Sequence, residues 1–150
     1  MSRTSSLAFL TLDHHVVHGR ADDVALSDAD GDLTFAQLLD QVASVAGGLR
    51  ILGLGDGDTL HVAVSGRPRA LTVLAALRLQ VVPGEGGAAL SGDPVVASVG
   101  AEEVPWTALR EFGRTDPLPA PAVDLDGVQA WRQQHGDVVE SLLDGRPVQL

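Results

Sequence analysis

The sequence predicts an α/β fold, a small and mainly parallel sheet flanked by helices, and three observations lead there. Two stretches repeat apolar residues at the three-and-four spacing of a helix buried along one face: 35–52, through Leu38, Val42, Val45, Ala46 and Leu49, and 68–80, through Ala70, Leu71, Val73, Leu74 and Leu77. Short β-rich runs at 60–64, 81–82 and 94–99 alternate with helical stretches, as in sheets whose strands are joined by crossover helices. Aromatic residues make up only 3% of a chain that is 45% hydrophobic, so the core must be built from Ala, Val and Leu, which suit helices packed closely on a sheet. A length of 150 residues predicts one domain with a real core.

Residues 5–18 are expected to open the chain as a helix capped by Ser5 or Ser6, with Leu7, Leu10 and Val17 on its apolar side. "DVALSDADGDLTF" alternates apolar and polar residues around Asp28-Ala29-Asp30-Gly31, which predicts two short strands joined by an Asp-Gly turn. Thr34 caps the next helix and Gly53 ends it. Leu60 to Val64 then forms a strand that can be buried, and Pro68 stands where a first helical turn accepts proline, opening a helix that runs to Gln80. Val81-Val82 make a brief second strand, "PVVASV" a third, and Trp106 to Phe112 a short helix introduced by Pro105. Pro117, Pro119 and Pro121 make the next stretch an extended connector. A final helix over about 127–144 places Val128, Trp131, His135, Val138, Val139 and Leu142 on one stripe, with Gly136 weakening its middle. No internal repeat is present.

The net charge of −10 and the scatter of the arginines argue against nucleic acid, whose phosphates need clustered cations. No lysine occurs in the sequence, which removes a P-loop lysine, a Schiff base and lysine-dependent acyl transfer from the chemistry open to this chain. Without cysteine there is no disulfide framework and no thiolate. No apolar run approaches the roughly 18 residues of a membrane span. Asp13 and three histidines interrupt the N-terminal apolar patch before a signal sequence can form, so the expected location is the cytoplasm.

Five clusters invite a chemical interpretation. Gly84, Gly86 and Ala89 fit the G-x-G-x-x-G/A spacing of a dinucleotide loop, with Glu102 and Glu103 near the ribose-binding offset. That fingerprint needs a helix behind its glycines, and the turn cluster Ser91-Gly92-Asp93-Pro94 stops one after about a turn, so an ordinary surface loop is expected. His14 and His18 are spaced to share a helix face, but two imidazoles do not make a metal site and a polar face is expected. Asp28, Asp30 and Asp32 alternate like calcium ligands without the rest of an EF-hand loop, which favours a turn. Glu102-Glu103 as an acid/base pair competes with two solvated side chains on an exposed turn. Arg67 and Arg69, beside Ser65-Gly66 at a helix start, could hold an anion, although Pro68 removes one amide donor.

Across 23–83 the residues Leu33-Thr34-Phe35-Ala36-Gln37-Leu38, Gly48-Leu49 with Gly53 and Gly57-Asp58, and Leu74-Ala75-Ala76-Leu77-Arg78 ending at Pro83 form a recognisable series. It resembles the start of the adenylate-forming superfamily, the acyl-CoA synthetases and nonribosomal peptide adenylation domains with their AMP-binding fold. Residues 94–126 resemble, more weakly, a shortened version of the family's next strand and its approach to the nucleotide site. The resemblance implies part of the family's N-terminal subdomain. The family's "TSGTTGxPKG" phosphate loop, metal-binding glutamate, ribose-binding aspartate and C-terminal domain with its lysine have no counterpart in these residues, so no catalytic, cofactor-binding or metal-ligating residue is expected.

The resulting expectation is a stand-alone, truncated, noncatalytic relative of that subdomain, acting as a protein-interaction or structural module. Trp131, Val138 and Leu142 are the candidate interface, covering exposed strand edges and helix faces either internally or across a homodimer. The alternative is one subunit of a split acyl-adenylating enzyme, completed by a partner chain that carries the phosphate loop and the lysine domain. A decayed gene product is a third.

Overall fold

One residue, Thr34, closes a strand and starts a helix. The computed structural model describes residues 6–150. Strands β1 (Val24–Asp28) and β2 (Gly31–Thr34) form the expected hairpin. Helix α1 (Phe35–Ile51) begins in a capping box: the Gln37 amide donates to Thr34 Oγ1 at 3.2 Å, and the Thr34 amide donates to Gln37 Oε1 at 2.9 Å. Phe35, Leu38, Val42, Val45, Ala46 and Leu49 of α1 are completely buried.

Strand β3 (Thr59–Ala63) leads into α2 (Gly66–Leu79), in which every residue from Ala70 to Leu79 is buried. A helix enclosed on all sides belongs at the centre of the molecule. Beyond it lie β4 (Val82–Pro83), β5 (Ala88–Ser91), β6 (Val96–Val99), β7 (Glu102–Pro105) and α3 (Trp106–Arg114). The chain closes with α4 (Ala130–Gln134), α5 (Gly136–Leu143) and β8 (Val148–Gln149).

The helix-flanked α/β architecture is the expected one, but the strands divide between two sheets with mixed pairing. One sheet runs β2-β1-β8, with β8 parallel to β1; the other runs β4-β3-β5-β6-β7, parallel on both sides of β3 and antiparallel from β5 onward. Three strands depart from the sequence expectation, β8 among them, since none is expected after the final helix. Ala88-Ala89-Leu90, expected as loop or a single helical turn, pairs with Leu60-His61-Val62 as β5. Glu102-Glu103, expected on a turn, lies in β7, whose charged side chains suit an exposed sheet edge.

The N-terminal helical segment spans 7–20, and Ser5 lies outside the described residues. Ser6 Oγ accepts the Phe9 amide at 3.2 Å, as a cap should, and donates to Pro121 O at 2.7 Å. Wide π-type turns run over Phe9–Asp13 and Val16–Arg20, the second kinked where His18 and Gly19 leave the helical region, and the buried face passes through Leu7, Ala8, Thr11, Leu12 and His15 at three-and-four spacing, not through the expected Leu10 and Val17. Leu7, Leu12 and His15 are buried, whereas Val17 is 71% exposed.

The expected continuous C-terminal helix is broken at His135, whose φ of −128° and ψ of 46° leave the helical region. Gly136, the weak point in the sequence, opens α5 in a new direction. Trp131 on α4 then packs by β4, while α5 lies against the N-terminal segment. One cluster of buried apolar side chains extends from Leu7 to Val148.

Glycines set the approach of α3 to α1. A Cβ on Gly48 would collide with the Leu109 carbonyl oxygen, one on Gly47 with that of Asp116, and one on Gly113 with that of Ser44. The two backbones therefore meet with no side chain between them.

Candidate functional site

In an α/β sheet, ligands favour the crevice beyond the carboxyl ends of parallel strands. Here that position is an open crevice of about 590 Å³ after β3 and β5, lined by Val64, Ser65, Pro68, Gly92 and Asp93. Arg67 and Arg69 stand next to it at the start of α2, and both are engaged internally. Arg67 grips Asp28, Nε to Oδ2 at 2.8 Å and Nη2 to Oδ1 at 2.6 Å, and also donates to Gly31 O at 3.1 Å. That hydrogen bond is the main reason the Asp28 carboxyl lies below the ordinary carboxylate range. Arg69 turns the other way, to both oxygens of Asp137 and to His135 Nδ1 at 3.1 Å. The Asp137 carboxyl is likewise held low, chiefly by its hydrogen bond to Arg69.

The remaining sequence candidates are separated by the fold. The loop 84–87 delivers the chain into β5, a strand, so no helix amides stand behind Gly84 and Gly86. Gly87 instead lets the loop lie directly on Thr59. Asp28 is committed to Arg67, Asp30 donates its amide to Asp28 Oδ1 at 2.9 Å, and Asp32 accepts Ser27 Oγ at 2.5 Å, which is turn chemistry. Glu102 and Glu103 are neighbours on a strand and point to opposite faces. His14 and His18 do share a face, with ring centroids 4.1 Å apart, and the His18 Nδ1–H donates to His14 O at 2.6 Å. Among the described residues no group of three or more potential metal ligands comes together.

Trp131, Val138 and Leu142 are completely buried inside the chain's own core. Trp131 also donates its Nε1–H to Val81 O at 2.8 Å. Of the two covers the sequence leaves open for this stripe, the internal one is present. A second cleft, of about 360 Å³, lies between β3 and α4, with His61, Glu85, Trp131, Gln134 and His135 on its walls.

Two polar constellations escape local sequence patterns. Arg78, buried within the apolar run of α2, donates to Asp13 and to Leu118 O. Gln80, with φ of 59°, and Asp124 clasp the connector: Gln80 Nε2 donates to Asp124 Oδ1 at 3.2 Å, and the Leu7 amide donates to Asp124 Oδ2 at 3.1 Å. The only sequence signal for the first is an arginine at a position where the helical stripe demands an apolar residue.

No protein-family model matches the chain. An uncharacterized protein of Pseudomonas aeruginosa is 34% identical over 82 residues, which make up 50% of this chain and 13% of that protein. Among solved structures, the anthranilate CoA ligase AuaEII in complex with anthranoyl-AMP is 17% identical with a TM-score of 0.48, over 55% of this chain and 16% of the ligase. A benzoate CoA ligase from Burkholderia xenovorans LB400 is 24% identical with a TM-score of 0.47, over 53% and 16% of the two chains. The N-terminal subdomain of Klebsiella oxytoca NpsA is 20% identical with a TM-score of 0.48, over 54% and 21%. The chain is similar to part of these adenylate-forming enzymes. It spans between 13% and 21% of the length of these four proteins. Among the described residues no helix is long and apolar enough to cross a membrane.

Proposed function

We propose that this chain serves as a noncatalytic structural or protein-interaction module, related in fold to the N-terminal part of adenylate-forming enzymes and working in the cytoplasm. The observation that carries the proposal is the double engagement of Arg67 and Arg69. The two cations that flank Pro68 of the crevice in sequence are each held by an internal carboxylate, Asp28 or Asp137, so neither guanidinium is poised for a polyphosphate. These pairs tie the hairpin and α5 to the start of α2, which is a structural use of charge. Protein partners, a second copy included, are part of the same proposal. Because Trp131, Val138 and Leu142 are spent on the core, such a partner would meet other surfaces.

The test is calorimetric titration with MgATP, alongside a pyrophosphate-release assay with a panel of carboxylic acids. The expected result is no saturable micromolar binding and no release. Saturable binding that disappears in Arg67→Met would overturn the proposal.

A second interpretation, a subunit of a split adenylating enzyme, is favoured by the match to only 13% of a longer relative, in which most of the chain lies elsewhere. Its test is pyrophosphate release on adding the separately expressed remainder of such a protein.

A further inference from the structure

One side of α1 carries an apolar stripe that the helix core does not use. Ala36, Leu39 and Ala43, at i, i+3 and i+7, line one wall of a groove of about 430 Å³, and Pro117, Leu118 and Pro119 of the connector line the other. Ala36, Pro117 and Pro119 are exposed, and Leu39 and Leu118 are half-buried. The connector wall is fixed in place. The Leu118 amide donates to Ala43 O at 3.2 Å, Leu118 O accepts Arg78 Nε at 2.8 Å, and a proline on each side restricts the backbone there. The groove is therefore formed before anything enters it, and little conformational freedom is left for an incoming partner to remove.

Resting on the reading of the chain as an interaction module, we propose that this groove is its docking surface and that the occupant is an amphipathic helix of a partner protein, with apolar side chains in the groove and a basic one at Asp40. Two features select a helix. Pro117 and Pro119 have no amide hydrogen and that of Leu118 is spent on Ala43, so the connector wall offers no backbone donor. An extended peptide lying there would find no strand to pair with, whereas a helix satisfies its own backbone. Ala36 and Ala43 are also short enough to let a second helix axis approach α1 closely, with Leu39 as the ridge between them.

Charge selects a basic partner over a second copy. Asp40 stands exposed on the rim, and among the described residues its carboxylate has no ion-pair partner. The arginines of the three surrounding helices are committed elsewhere: Arg78 to Asp13, Arg50 to Asp116 and Arg114 to Glu111. Arg110 lies with Asp40 on the walls of the adjoining cleft between α1 and α3 without pairing to it. Arg78 and Asp13 also line the groove, and their charges cancel, so Asp40 leaves it net negative. A second copy would bring its own net charge of −10 to the contact, which opposes self-association.

The probe is a synthetic amphipathic helix of about five turns, with leucines on one stripe and lysines beside it, titrated into the ¹⁵N-labelled full chain and followed by amide shift changes. Two control peptides carry glutamates in place of the lysines, or the same composition scrambled so that no stripe remains. The expected result is saturable shift changes at Ala36, Leu39, Asp40, Ala43 and Leu118. Binding should weaken by about tenfold or more for the glutamate peptide, and equally for the lysine peptide on Asp40→Arg, and should vanish for the scrambled peptide. No saturable binding, shift changes confined to another surface, or equal affinity for all three peptides would overturn the proposal. So would concentration-dependent changes at these residues in the protein alone, which would make a second copy the occupant. The peptide comparison uses the unmodified protein, so it decides the matter whatever Asp40→Arg does to the fold. MgATP titrated into the same sample separates the two proposals: saturable changes at the start of α2 would defeat the noncatalytic reading, whereas peptide-induced changes on a different surface would defeat the groove alone.

Discussion

Arg78 and Asp13, 65 positions apart in sequence, join α2 to the N-terminal helical segment through two hydrogen bonds, Nη1 to Oδ1 at 2.8 Å and Nη2 to Oδ2 at 3.2 Å. The partners are unequally buried: the arginine side chain is 3% exposed and the aspartate side chain 22%. Arg78 also donates from Nε to Leu118 O at 2.8 Å, so one guanidinium fastens three segments.

This asymmetry predicts which substitution is worse. Asp13→Ala strands a cation with little access to water, whereas Arg78→Met leaves a carboxylate that already reaches solvent. Breaking a buried pair from one side costs about 3–5 kcal/mol, and solvent at Asp13 places this case near 3. Urea denaturation should show the larger loss for Asp13→Ala, with Arg78→Met partly rescuing it in the double variant. Equal losses, or strict additivity, would remove the pair from the account of how the N-terminal segment is held.

A second prediction concerns acid. The Asp28 and Asp137 carboxyls sit below their ordinary value of 3.8 because Arg67 and Arg69 hydrogen-bond to them. Their folded-state values are thus lower than their unfolded ones, so their stabilisation is complete above 3.8 and is lost as pH falls through the folded values. His14 acts at higher pH: burial, then His18 and His15, hold its imidazole below 6.5, so the unfolded chain takes up a proton that the folded chain resists, and stability falls as pH drops below 6.5. Melting temperatures should therefore decline in two stages from neutral pH. His14→Gln should shrink the upper stage, to which His135 also contributes because burial and Arg69 hold its imidazole below 6.5, and should leave the lower one, which Asp28→Asn should reduce. A single stage centred below 4 would count against His14 as a contributor.

The α1–α3 crossing gives a third prediction. Gly48→Ala sets a methyl group against the Leu109 backbone carbonyl, which cannot rotate away, so the helices must separate. Overpacking of this kind costs about 1–3 kcal/mol, visible as an earlier urea midpoint. Gly55 is the control, since a Cβ there meets nothing within 4 Å and its φ is not in the left-handed region. Gly48→Ala melting like Gly55→Ala would mean the crossing is looser than described.

These examples show which features the sequence could reveal. Thr34 and Gln37 form their box within one turn, so the start of α1 is readable from four residues. The α2 stripe and the β1–β2 turn are local in the same way. Strand β5 is not, because Ala88-Ala89-Leu90 has weak β-propensity and becomes a strand only by pairing with β3. The buried face of residues 7–20 includes the polar Thr11 and His15 beside Leu7, Ala8 and Leu12, so an apolar stripe drawn through Leu10 and Val17 misplaces it. At the candidate site the sequence brings Arg67 and Arg69 to a helix start, but their partners Asp28 and Asp137 lie 39 and 68 positions away. No local spacing encodes that both cations are already occupied.

The last prediction separates a core from an interface. Val138 and Leu142 are completely buried within the chain, so Val138→Asp with Leu142→Asp should unfold the protein. Burial of each side chain contributes about 1.5–3 kcal/mol, and an unpaired buried carboxylate adds a further penalty, against a typical total of about 5–15 kcal/mol. Circular dichroism and light scattering on the double variant should show loss of helix and of the cooperative melt. Deleting 127–150 should act more strongly, since it removes Trp131 from beside Val81, β8 from the edge of β1 and α5 from the N-terminal segment. The exposed apolar surface should then drive aggregation. A double variant that stays folded but changes from dimer to monomer would place the stripe between chains and contradict its burial here. A deletion variant that stays soluble, monomeric and as stable as the full chain would show that the C-terminal segment is not part of what holds this fold together.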